Sequence, residues 1–216
     1  MRKKNRNDLW FALGMLAAFG VWTSAIQCID IQTIGPQKSA VGLATINRCV
    51  HTLTGVHMPL YTMTDWLGLI PLVFVIAFAL LGLMQWIQRK HLFNVDYSIL
   101  VLGGFYIIVL AIYLLFERFV VNYRPVLIDG FLEASYPSST TMLVMCVMPT
   151  AVMQLNTRIK NEVLKKWMTA ILTTFVVFMV ICRLLSGVHW FTDIVGGALL
   201  STGLVLLYRA ILGLKA

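Results

Sequence analysis

Apolar residues along this chain fall into long runs separated by short charged or polar clusters. The runs have the length that crosses a hydrocarbon layer as helix, roughly 20 residues each. Six are read, at about 9–29, 66–86, 97–121, 138–155, 168–185 and 189–211. The first follows the basic stretch MRKKNRND. It is longer than a secretory h-region, and its small residues Thr23, Ser24 and Ala25 lie inside the run, so it is expected to stay as a membrane anchor. Between the first and second runs, residues 30–65 carry Val41, Ala44, Val50 and Leu53 at spacings that suggest a helix lying in the interface.

Composition turns this pattern into a class. Of 216 residues, 59% are hydrophobic and 12% charged, and the mean hydropathy is +0.84. That balance excludes a soluble domain and places the chain in a bilayer. Linkers, low-complexity tracts and fixed-period repeats are absent from the sequence, so the expectation is an all-α, polytopic protein: one bundle of six transmembrane helices forming a single domain over 1–216.

The net charge of +8 reads as orientation rather than as a nucleic-acid surface, because Lys and Arg are retained on the cytoplasmic side. With both termini inside, the cytoplasmic side collects Arg2, Lys3, Lys4, Arg6, Arg89, Lys90, Arg158, Lys160, Lys165, Lys166, Arg209 and Lys215, twelve of the seventeen basic residues. Of the five left outside, Lys38, Arg48, Arg118, Arg124 and Arg183, the last three sit at or near the ends of apolar runs. An ionisable group at membrane depth costs about 2.5–3.5 kcal/mol on insertion scales unless it is paired or hydrated. A bound anion would give these arginines their reason.

The same topology gathers other polar residues at that outer face. His189 and Asp193 are four apart, a spacing at which a carboxylate can hold one imidazole nitrogen protonated and free the other as nucleophile or base. Arg124 and Arg183 bring planar charged forks suited to phosphoryl oxygens. Ser138, Ser139 and Thr140 follow Pro137 at a helix start, where free N–H groups attract anions. The four cysteines, Cys28, Cys49, Cys146 and Cys182, lack metal-ligand spacing, so neither metal nor cofactor is expected; Cys28 and Cys49 share the outer side, where a disulfide could form.

The segment from Arg183 to Asp193, RLLSGVHWFTD, resembles the third signature of the type-2 phosphatidic-acid phosphatase superfamily of membrane lipid-phosphate phosphatases. Arg124-Pro125 and Pro137-Ser138 resemble its other two signatures in part. The resemblance implies that His189 attacks phosphorus to give a phosphohistidine, that Asp193 orients it, and that the arginines and the Ser138 segment hold phosphate oxygens. It also implies a metal-independent reaction near the outer membrane surface, on a lipid whose tail stays in the bilayer.

Two departures stand out. Where the family's first motif begins with lysine, this chain has Glu117 followed by Arg118; either Arg118 takes the cationic role, or Glu117 neutralises a neighbouring arginine. Where the second motif carries the histidine that protonates the leaving group, this chain has Thr140. His51, His57 and Glu133 lie on the correct side to replace that acid. A positioned acid contributes about 10²- to 10⁴-fold, and a phosphate leaving group needs it less than an alkoxide does. The expected reaction is hydrolysis of a lipid phosphate or a polyprenyl diphosphate at the extracytoplasmic face of the cell membrane, and the missing acid favours the diphosphate class, such as undecaprenyl diphosphate. The alternatives are phosphotransfer to another acceptor, or a catalytically degenerate member that binds or moves anionic lipid.

Overall fold

A computed structural model describes residues 3–214; Arg2 and Lys215, assigned above to the cytoplasmic side, lie outside the described residues. Eight α-helices are formed among them: α1 (Lys3–Cys28), α2 (Ala44–Thr54), α3 (Met58–Leu67), α4 (Leu69–Arg89), α5 (Tyr97–Arg118), α6 (Ser139–Arg158), α7 (Glu162–Leu185) and α8 (Phe191–Leu212). Pairing between extended segments is confined, among the described residues, to isolated bridges. The chain is thus all-helical and multi-pass. Among the described residues five stretches are long and apolar enough to cross a membrane: Asn5–Cys28, Met58–Arg89, Tyr97–Arg118, Glu162–Leu185 and Phe191–Leu212.

The remaining long helix, α6, corresponds to the run at 138–155. Its lower hydropathy has a physical cause, since it packs against α4, α5, α7 and α8. Thr141, Thr150 and Gln154 are buried there. The Thr150 hydroxyl donates to Cys146 O at 2.8 Å, and the Gln154 amide donates to Ser98 O at 3.1 Å and to the Tyr208 hydroxyl. A helix enclosed by protein can carry polar side chains whose partners are other helices rather than lipid. Its apolar residues complete the core: Met142 and Cys146 pack with Leu102, Phe105, Leu200 and Leu204, and Val144 and Met148 pack with Leu172 and Met179 of α7.

Charged groups segregate to the two ends of the bundle. At one end Arg209 of α8 pairs with Asp8 of α1, and Asp96, before α5, meets Arg89 at 2.9 Å and Arg158 at 3.8 Å. The opposite end holds the turn between α7 and α8, the starts of α3 and α6, and the loop after α5. α1 runs along α8 and fixes this end through Trp22 Nε1, which donates to Thr192 O at 3.1 Å.

Several boundaries differ from the sequence reading. The run placed at 66–86 is preceded by α3, which begins at Met58 and meets α4 at Gly68. α7 begins at Glu162 rather than 168, because Asn161 Oδ1 accepts from the N–H groups of Val163 (2.9 Å) and Leu164 (3.1 Å). α2 is the helix expected in the 30–65 segment, yet its buried residues are Ala44 and Asn47, while Leu53 is exposed. Polar bonding rather than an apolar stripe seats it: Asn47 Oδ1 accepts from Thr192 N–H at 3.1 Å and Asn47 Nδ2 donates to Thr192 Oγ1 at 3.0 Å, capping α8 from another element. All four cysteines are free thiols, Cys28 and Cys49 included.

Candidate active site

Residues 119–138 do not extend α5 but form a short ribbon. Antiparallel bridges join Tyr123 to Ala134 and Ile128 to Phe131, closed by Asp129 and Gly130, both with positive φ. Such a two-residue Asp-Gly link matches the twist of a hairpin. The ribbon sets Arg124 beside Glu133, with Arg124 N–H donating to Glu133 O at 3.1 Å, and sets Ser135 opposite Asn122, with Ser135 N–H donating to Asn122 O at 2.9 Å. Tyr136, 2% exposed, anchors the ribbon's second arm: it stacks on Phe19, its hydroxyl lies 2.7 Å from that of Thr23, and a Cβ on Gly196 would come within 2.4 Å of its ring. The following Tyr136–Pro137 peptide is cis.

The turn between α7 and α8 carries His189. Gly187 makes it possible, with φ +67 and a backbone approach so close that a Cβ would sit 1.8 Å from Gly55 O. His189 therefore precedes α8 instead of sharing a helical face with Asp193. Their direct separation is 3.7 Å, and the link between them is a side chain the sequence reading did not assign. The Ser135 hydroxyl lies 3.0 Å from His189 Nδ1 and donates to Asp193 Oδ2. Asp193 Oδ2 also accepts from Trp190 N–H at 2.8 Å.

This network assigns the tautomer. The single Ser135 proton goes to the carboxylate, so Ser135 Oγ must accept from His189 Nδ1–H. His189 Nε2 is left with a free lone pair, buried and without a hydrogen-bond partner. Burial pushes the His189 pKa well below its ordinary value, and the positive charges of Arg124 and Arg183 push the same way. The ring is thereby held neutral, as a nucleophile requires. A depressed imidazole pKa retains the neutral form as pH falls. The acid limb of kcat/KM, corrected for substrate ionisation, is expected well below the free-imidazole value of about 6.5; a limb centred at or above that value would contradict the assignment.

Two buried guanidinium groups accompany the imidazole. Arg183, 1% exposed in the last turn of α7, donates from Nη1 to Thr64 Oγ1 at 3.1 Å, and its Nε has no partner. Arg124 lies 3.1 Å from Glu133 through Nε, in an ion pair not aligned as a hydrogen bond; its Nη1 is also buried and unpartnered. The Tyr61 ring sits against both, 4.8 Å from the Arg183 guanidinium and 5.8 Å from that of Arg124. Tyr61 and Thr64 come from α3, which the hydropathy reading had left outside the second span.

At the start of α6, Ser138 N–H donates to Asp193 O at 3.1 Å, and the first backbone bond of the helix runs from Met142 N–H to Ser138 O. The N–H groups of Ser139, Thr140 and Thr141 are thus free of helical partners. The hydroxyls of Ser138 and Thr141 are buried and unpartnered as well. His189 lines a cleft with Ser135, Pro137, Ser139, Tyr113 and Glu117. Beside it a larger apolar groove of about 590 Å³ opens between α4, α5 and α6, lined by Leu69, Leu72, Leu110, Thr140 and Leu143 among others; Tyr113, Ser139 and Met142 line both.

The remaining sequence expectations place differently. Arg118 is exposed, 6.0 Å from the Phe119 ring, and lines neither cavity. Glu117 makes no ion pair among the described residues, so it does not neutralise an arginine by direct contact. His51 Nε2 is engaged with Gly187 O at 3.1 Å and His57 Nε2 with Thr54 O at 2.9 Å; carbonyl oxygens only accept, so both nitrogens donate. Glu133 faces Arg124. Among the described residues no group of three His, Cys, Asp or Glu side chains could hold a metal ion.

One end of the helical bundle thus gathers a buried histidine, a carboxylate and two buried arginines, and part of the chain is similar to a known family. Residues 120–215 match the model of the PAP2 superfamily, the family whose signatures the sequence resembles. The fold is also that of a crystal structure described as the first transmembrane PAP2-type phosphatidylglycerolphosphate phosphatase from Bacillus subtilis: TM-score 0.61, 18% identity, 95% of this chain and 96% of that chain covered. No curated protein matches the chain.

Proposed function

We propose that this protein is an integral-membrane lipid-phosphate phosphatase whose preferred substrate is a polyprenyl diphosphate. The observation that carries the reading is the buried, unpartnered Nε2 of His189, its Nδ1–H anchored through Ser135 to Asp193, beside two buried arginines with unused donors. In the first half-reaction Nε2 attacks the terminal phosphorus, the bridging P–O bond breaks, and the lipid monophosphate leaves. The positive charge that develops on the imidazole is stabilised by Asp193 through the Ser135 hydroxyl. Arg124, Arg183 and the free N–H groups at the start of α6 stabilise the phosphoryl oxygens. Water then cleaves the phosphohistidine to regenerate Nε2 and release phosphate. No metal ion takes part in this scheme.

The lipid nature of the substrate is supported by the apolar groove that shares Tyr113, Ser139 and Met142 with the His189 cleft, giving a tail a place beside a head group at the histidine. In the proposed arrangement residues 1–216 form one domain, α6 counts as the sixth span, and both termini are cytoplasmic. The end rich in Arg89, Arg158 and Arg209 faces inward, and His189 lies at the extracytoplasmic side of the cell membrane. The diphosphate preference rests on Thr140, which stands where the family carries its proton donor and lines the apolar groove rather than the cleft.

The test is phosphate release by detergent-purified protein, without added metal, from undecaprenyl diphosphate, phosphatidic acid and phosphatidylglycerophosphate. The diphosphate is expected to be hydrolysed fastest; faster release from either monoester would overturn the preference. A second reading, an anion-binding member without turnover, draws on Thr140 and Glu117. It requires lipid binding with no phosphate release from any of the three.

A further inference from the structure

The second half-reaction needs a group to take a proton from water, and the usual histidine is absent. Of the candidates on the correct side, His51 and His57 spend Nε2 on backbone carbonyls, and Glu133 is paired with the Arg124 guanidinium at 3.1 Å. Glu117 differs from all three. It stands in the last turn of α5, is exposed, makes no ion pair among the described residues, and lines the cleft that contains His189 and Ser139. Tyr113, one turn earlier on the same helix, lines the same cleft.

From this geometry we infer that Glu117 is the general base that activates water against the phosphohistidine, an inference that rests on the reaction proposed above. Water oxygen attacks phosphorus while its proton passes to the Glu117 carboxylate. The N–P bond breaks, its electron pair returns to His189 Nε2, and inorganic phosphate leaves; Glu117 then loses the proton to solvent. A carboxylate accepts a proton but has none to give, so the same residue does not serve as acid in the first half-reaction. That division suits a diphosphate, whose leaving group departs without protonation, and it accounts together for an acidic residue where the family has lysine and for Thr140 where it has histidine. A lysine at 117 would attract phosphate but could not, as an ammonium, accept the proton.

The experiment follows the full-length protein with undecaprenyl diphosphate carrying ³²P at the terminal phosphorus, using rapid acid-free quench and steady-state phosphate release. In Glu117→Gln, release of undecaprenyl phosphate is expected to keep its burst, alkali-stable and acid-labile phosphoenzyme should accumulate, and steady turnover should fall by about 10²- to 10⁴-fold. In Glu117→Ala, added formate should restore part of the turnover. Turnover of Glu117→Gln within threefold of wild type overturns the assignment, as does loss of the burst itself, which would put Glu117 before the phosphoenzyme. Equal phosphate release by wild type and His189→Ala overturns the underlying phosphohistidine reading instead, so the two failures are distinguishable.

Discussion

His189→Ala is expected to abolish phosphate release, by about 10⁴-fold or more, and to leave no phosphoenzyme. The expectation follows from what the imidazole is surrounded by. Nδ1 is committed to Ser135, Nε2 is free, and the ring is 3% exposed in the electrostatic field of Arg124 and Arg183. A structural histidine would be bonded through both nitrogens, as buried polar atoms normally are. Here one of them is left open at the point where a phosphoryl group would be held. Alanine removes that nitrogen but also removes a buried polar atom without a partner, so the variant should fold. Its elution as a monodisperse species and a thermal midpoint near that of the wild type would separate lost chemistry from lost structure. Retained hydrolysis in a folded His189→Ala protein would falsify the nucleophile assignment.

The architecture behind that histidine was legible in the sequence to different depths. Length and hydropathy located all the long helices, because lipid-facing helices must be apolar along most of their surface. The exception in strength was α6, whose Thr141, Thr150 and Gln154 find partners inside the bundle. Its existence was readable, but its hydropathy under-reports a helix enclosed by four others. Topology likewise gathers Arg124, Ser138, Arg183, His189 and Asp193 at one end, since alternate connections of a bundle share a face.

What was not legible came from loops and helix breaks. Ser135 carries the contact between His189 and Asp193, yet a serine between Ala134 and Tyr136 has no spacing that marks it. The Asp129-Gly130 pair was the available signal: read as a hairpin turn, it folds residues 122–124 against 133–135 and brings Ser135 to the site. Tyr61 and Thr64 escape notice because the second apolar run begins at 66. α3 continues the same path across Gly68 with a break that hydropathy does not register. Sequence spacing alone overstates the His189–Asp193 pair, because the helix that carries Asp193 begins at Phe191, after His189.

Arg183 poses the sharper test, since its effects on activity and on stability should have opposite signs. Its side chain is almost fully buried, with one hydrogen bond to Thr64, an aromatic face at 4.8 Å and no carboxylate within ion-pairing distance among the described residues. A guanidinium withdrawn from water with so few partners is costly to the empty protein, and replacing buried charge by a well-packed apolar side chain is often neutral or stabilising by about 1–4 kcal/mol. In the proposed reaction a dianionic phosphoryl group supplies the missing counter-charge. Arg183→Met is therefore expected to lower kcat/KM by about 10²- to 10³-fold, the scale of losing one preorganised donor to a developing charge. Its thermal midpoint without anion should match or exceed that of the wild type. Orthovanadate should raise the wild-type midpoint and leave that of Arg183→Met nearly unmoved. Arg183→Lys separates charge from geometry: an ammonium keeps the charge but not the planar fork, so most of the activity loss should persist. If Arg183→Met instead unfolds at a clearly lower temperature with or without vanadate, the arginine is a structural tie to Thr64 and Tyr61, and the phosphate must be held by Arg124 and the start of α6.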